Sequence, residues 1–93
     1  MGKSISFENR DKLIQIGITI ATLRRMRGMS QETLAEKANI SRSQLSSIEA
    51  PGLAHNFTIE VLLNISKALE VDPAELIRAS VIPDALLNVK KQN

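Results

Sequence analysis

Apolar residues recur at steps of three and four along most of this chain, in separate runs divided by helix-stopping or helix-starting chemistry. Leu13, Ile16, Ile20 and Leu23 share one face of a predicted helix over residues 12–27, which ends at Gly28, the residue best suited to the left-handed position after a helix. Its start is open, because Ser6, Asn9 and Asp11 each suit an N-cap. An interior Gly17 costs this helix about 1 kcal/mol against alanine, and close approach of another helix is its simplest explanation. Ser30 caps a second helix with Glu32 in the first turn and a stripe of Leu34, Ala35 and Ala38, two of them small enough to admit a close neighbour. Asn39 falls where the chain must turn with positive φ, and Ser41 then caps a third helix in which Gln44 is placed to close a capping box.

Thr58 opens a fourth helix whose Ile59, Leu62, Ile65 and Leu69 are expected on one face. Asp72, Pro73 and Glu75 spell N-cap, proline at the first helical position and acid at the third, so a fifth short helix runs from Pro73 to about Ser80. Beyond it VIPDALLNV is apolar, broken by Pro83, and ends in a polar tail. No strand alternation, internal repeat or low-complexity segment interrupts this pattern. The fold class is therefore all-α, with five helices in one compact domain. Residues 12–80 form the domain, 1–11 an N-terminal extension that can join the first helix, and 81–93 an apolar segment with a polar tail.

The third helix separates two kinds of side chain. At 100° per residue Leu45 and Ile48 lie about 60° apart, with Ser43 nearly opposite and Ser46 and Ser47 flanking it. Arg42 and Gln44 stand at the rims of that outer face, both in the first turn. A guanidinium, an amide and hydroxyls in the N-terminal half of a helix match base edges in a major groove, where Arg pairs with guanine and Gln with adenine. A merely solvated helix would also be polar here. The short NIS connection tips the balance, since two helices joined this tightly present the second one outward.

Composition narrows the alternatives. Ninety-three residues fill one core, and 43% apolar with 24% charged residues is the balance of an ordinary globular domain. The aromatics are Phe7 and Phe57 alone, leaving Ile, Leu, Val and Ala to build the core. No cysteine and a single histidine, His55, argue against a zinc site, and no metal or other cofactor is expected. No apolar run reaches the roughly 20 residues that span a bilayer, so no membrane partner and a cytoplasmic location are expected. The net charge of +2 is too small to identify a nucleic-acid partner by itself.

From Ile16 to Ile77 the chain resembles the helix-turn-helix domains of the Cro and lambda-repressor type, also called the xenobiotic response element type. The carriers are LRRMRGMSQETLAEKANISRSQLSSIE followed by FTIEVLLNISKALEVDPAEL. The resemblance implies a five-helix bundle, in agreement with the punctuation. It further implies that Gln31 touches a DNA phosphate and steadies the base-reading side chains, with Ser30 beside it. Arg42 and Ser43 match the principal base-reading positions, Gln44 and Ser47 positions used in some members, and Arg24 and Glu49 a pair joining the first helix to the end of the third. After Glu49 the chain departs from the family, with APGLAHN in place of a shorter polar or basic loop. Phosphate contacts there would fall to backbone amides, Asn56 or His55.

These readings point to a sequence-specific DNA-binding regulator of transcription, a repressor bound as a homodimer to a two-fold site on double-stranded DNA. One short helix reads only a few base pairs, and two copies about 34 Å apart read a full site. The surplus apolar residues Val81, Ile82, Leu86, Leu87 and Val89 either fold back on the domain as a final turn or form the dimer contact, with Val61 and Leu63 on the outer side of the fourth helix next. The alternative use of that segment is to bind a toxin protein, as an antitoxin that also binds its own operator. Enzymatic chemistry is not expected: the carboxylates are scattered without partners, and no Gly-rich phosphate loop or nucleophile–base pair can be assembled.

Overall fold

The computed structural model describes residues 5–78. Four helices, α1 (Phe7–Met26), α2 (Gln31–Ala38), α3 (Arg42–Glu49) and α4 (Ile59–Leu69), are followed by α5, which begins at Pro73 and is described through Arg78. No strand occurs among the described residues. Val81, Ile82, Leu86, Leu87 and Val89 lie outside them, as does the end of the fifth helix expected near Ser80.

Each helix starts on the side chain that its sequence offers. Ser6, Ser30, Ser41 and Thr58 accept hydrogen bonds from the backbone N–H groups of Asn9, Thr33, Gln44 and Val61, at 3.2, 3.0, 2.9 and 3.2 Å. Asp72 does the same for Ala74 at 2.8 Å, one residue before the proline that opens α5. Each bond satisfies a donor that has no partner inside its helix. Of the three candidate caps for α1, Ser6 is the one used, and residues 7–11 are helical. Periodicity did not reveal this extra turn because Glu8, Asn9, Arg10 and Asp11 are all exposed and carry no apolar stripe.

The ends of α1, α2 and α4 share one geometry, while α3 stops at an extended Ala50. Gly28, Asn39 and Glu70 have φ of 72°, 59° and 60°. At each, the following residue's N–H reaches back to a carbonyl five positions earlier: Met29 to Arg24 at 3.0 Å, Ile40 to Ala35 at 3.0 Å and Val71 to Ser66 at 2.9 Å. These are Schellman closures, and Met29, Ile40 and Val71 supply the accompanying apolar contact by packing on the core. Glycine and asparagine tolerate the left-handed conformation, but glutamate at position 70 is strained there. Glu70→Gly should therefore stabilise the domain by about 0.5–1 kcal/mol, read as a higher midpoint in urea unfolding with an unchanged slope.

The core is aliphatic: Ile20, Leu34, Leu45, Ile48, Ile65, Leu69 and Leu76 are almost completely buried, one or more from every helix. α1 packs chiefly on α3, and α2 on α4 and α3. One expectation fails. Ile59 is 68% exposed, because it sits in the first turn of α4 at the edge of the apolar arc, while Val61 packs partly against the core. Arg27 ties the two ends together, donating from Nε to the carbonyl of Leu69 at 2.8 Å, one of the carbonyls left without a partner where α4 stops. No described helix is long and apolar enough to cross a membrane.

Candidate nucleic-acid interface

Leu45 and Ile48 bury one side of α3, and the opposite side is left outward. Arg42, Ser43 and Ser46 are exposed, whereas Gln44 and Ser47 are half-buried. The rim positions, about 70–90° from the centre of the buried arc on a helical wheel, thus divide: Arg42 is exposed, and Gln44 lies partly against the domain. Ser41 holds the first turn through its bond to the Gln44 N–H. The N–H groups of Arg42 and Ser43 have no carbonyl partner within the helix, and with the exposed Arg42 side chain they favour negative charge.

A buried carboxylate fixes the other end of α3. Glu49 accepts from Arg24 Nε at 2.8 Å and from Arg24 Nη2 at 3.0 Å, a two-pronged pairing between α1 and α3. The two side chains are only 9% and 3% exposed. Arg24 also donates from Nη1 to the carbonyl of Met29 at 2.8 Å, so one guanidinium grips both the last turn of α3 and the chain entering α2. Glu49 Oε1 accepts a third bond, from Gln31 Nε2 at 3.0 Å. One carboxylate therefore joins α1, α2 and α3. No buried side-chain nitrogen or oxygen among the described residues lacks a hydrogen-bond partner.

The bond from Gln31 to Glu49 is a contact that sequence reasoning missed. It commits one amide hydrogen of Gln31, a half-buried residue that opens α2, and leaves the second for another acceptor. The signal available was slight: a carboxylate at the edge of a buried arc has room for more donors than one guanidinium supplies. Ser30, one residue earlier, is exposed; its hydroxyl accepts from the Thr33 N–H and donates to Thr33 Oγ1 at 3.0 Å. In the segment after α3, Asn56 is exposed and His55 half-buried, with Pro51, Gly52 and Leu53 exposed between Glu49 and them. Among the described residues no group of three or more His, Cys, Asp or Glu side chains is arranged to hold a metal ion.

A helix-turn-helix family model matches residues 20–76, from the middle of α1 into α5, and so spans Arg24, Gln31, all of α3 and Glu49. The chain belongs to the Cro/C1-type helix-turn-helix family. Members of this helix-turn-helix family are DNA-binding regulators, and this chain is a DNA-binding transcription regulator. Comparison with curated proteins finds no match. Solved structures do match. The restriction-modification controller protein C.AhdI from Aeromonas hydrophila is 33% identical, with a TM-score of 0.64 over 69% of this chain and 94% of that one. Wild-type C.Esp1396I, also a restriction-modification controller protein, is 33% identical, with a TM-score of 0.67 over 85% of this chain and 99% of that one. A structure of C.Esp1396I bound to a 19 base pair DNA duplex is 34% identical, with a TM-score of 0.66 over 82% of this chain and 93% of that one.

Proposed function

We propose that this helix-turn-helix protein is a sequence-specific repressor that binds a two-fold operator as a homodimer, in the setting of a restriction–modification controller. The observation that carries the reading is α3 itself: an exposed Arg42 and Ser43 at one end, and at the other a buried three-helix carboxylate network. A helix meant to read bases must be held still, because each bidentate contact depends on placing two hydrogen bonds at once. In this reading Arg42 and Ser43 reach base edges, with Gln44 and Ser47 adjusting the fit from half-buried positions. Ser30, Gln31 and Asn56 hold phosphates and fix the register. The similarity to controllers, one of them solved on a DNA duplex, supports the setting.

The homodimer follows from the small footprint of one α3 and the two-fold symmetry that most operators show. Val81, Ile82, Leu86 and Leu87 are the proposed contact; within the described residues, exposed Ile59 and Leu63 on α4 offer further apolar surface. No observation favours the toxin-binding alternative. Selection of bound sequences from a random duplex pool tests the whole reading. The expected product is an inverted repeat whose half-site centres lie about 34 Å apart, one helical turn of DNA. A pool that enriches no common sequence, or an asymmetric one, would overturn it.

A further inference from the structure

The two ends of the α1–α3 contact are of different kinds. At Arg24 it is an ion pair. At Gly17, seven residues and two helical turns earlier on the same face, it is backbone against backbone: a Cβ placed on Gly17 would stand 1.9 Å from the carbonyl oxygen of Ile48 and 3.1 Å from its carbon. Adding a carbon–carbon bond of about 1.5 Å puts the Gly17 Cα within about 3.4 Å of that oxygen, the range of a Cα–H···O contact. Ile48 and Glu49 are consecutive, so the last turn of α3 is fixed at two points about 10 Å apart along α1. Two such points set a direction as well as a distance.

We propose that Gly17 is a positioning residue for DNA recognition: the absence of its side chain sets the pose of α3 relative to α2, and hence which bases Arg42 can reach. This rests on the reading of α3 as the base-reading helix. Any side chain at position 17 must drive the Ile48 carbonyl away by about 1 Å before the contact reaches 3.0 Å, below which real Cβ atoms essentially never approach. The obstacle is backbone at both sides, so no rotamer change relieves it. α2, which carries Ser30 and Gln31, packs more on α4 than on α3, so it is held chiefly by a neighbour that a side chain at position 17 does not reach. A displaced α3 therefore shifts base contacts relative to phosphate contacts, and specificity suffers before general affinity does.

The test compares Gly17→Ala with the wild type and with Ile65→Val, a buried change in α4 that weakens the core without touching the α1–α3 contact. Gly17→Ala is also made in the Glu70→Gly background to retain stability. Affinities for the selected operator and for a scrambled duplex are measured at one salt concentration, at a temperature where circular dichroism shows each protein helical. Gly17→Ala should lose about tenfold or more on the operator and less than about twofold on scrambled DNA. Amide NMR shifts should move along residues 42–50 and stay put in α4, and Ile65→Val should keep the wild-type ratio of affinities. An unchanged ratio for Gly17→Ala overturns the proposal. So does failure to fold in both backgrounds, since the contact would then hold the fold together rather than set a pose. If the wild type itself prefers no operator, the function proposed above has failed; the NMR shifts still judge the pose, and unmoved α3 amides reject it.

Discussion

Arg24→Ala should destabilise the domain by about 3–5 kcal/mol, the cost of leaving a buried carboxylate without its counter-charge. Total stability for a domain of this size is about 5–15 kcal/mol, so the variant should melt more than about 12 °C lower. Glu49→Ala should cost as much for the converse reason, stranding a guanidinium whose remaining acceptor is the Met29 carbonyl. The loss measures removal of one partner rather than the worth of the pair, because desolvating both charges offsets much of their attraction. Arg24→Met combined with Glu49→Leu should therefore recover most of the stability in urea unfolding. It should not recover DNA binding, since Gln31 would have lost the acceptor that holds its amide at 3.0 Å. An Arg24→Ala protein within about 1 kcal/mol of wild type would show that the pair is hydrated in solution and does not fix α3.

The parts of this fold that can be read along the chain are those set by chemistry within a few residues. Ser30, Ser41, Thr58 and Asp72 announce helix starts because a short oxygen-bearing side chain can reach an N–H two or three positions on, and Gly28 and Asn39 announce ends because few other residues accept positive φ. Glu70 occupies the same left-handed position with no such announcement, held there by the Val71 closure and the packing around it. Ile59 misled because periodicity assigns it to an apolar arc, whereas among the described residues it stands at the edge of that arc and is left 68% exposed. At the candidate site, the helical wheel separates Arg42 and Ser43 from Leu45 and Ile48, a purely angular matter. The half-burial of Gln44 and Ser47 depends on neighbouring elements and is not written in α3. The Arg24–Glu49 pair became legible through family resemblance together with a charge at the edge of a buried arc. Gly17 announced a close neighbour, but that the neighbour is the Ile48 carbonyl, and that Gln31 is the third donor, depend on residues far apart in sequence that only the assembly of α1, α2 and α3 brings together.

Arg42→Ala and Gln31→Ala should weaken DNA binding in different ways, and the difference assigns their roles. Arg42 is exposed at the start of α3, so its removal leaves the fold intact; what it removes is a pair of hydrogen bonds to one base edge. That loss should be about 1–3 kcal/mol per half-site on the selected operator, doubled for a two-fold site, and close to nothing on scrambled DNA beyond one charge's share of salt dependence. Gln31 opens α2 with one amide hydrogen already given to Glu49, and the hydrogen that remains suits a phosphate oxygen, which every sequence presents alike. Gln31→Ala should therefore lower both affinities by similar factors and leave their ratio near the wild-type value. Both duplexes are titrated with each variant at one fixed salt concentration, because the phosphate contribution changes steeply with salt. Equal losses on operator and scrambled DNA for Arg42→Ala would make Arg42 a backbone contact, and base reading would then pass to Ser43, Gln44 and Ser47. A Gln31→Ala protein that loses the operator alone would mean that the amide acts through Glu49 on the pose of α3 rather than on a phosphate.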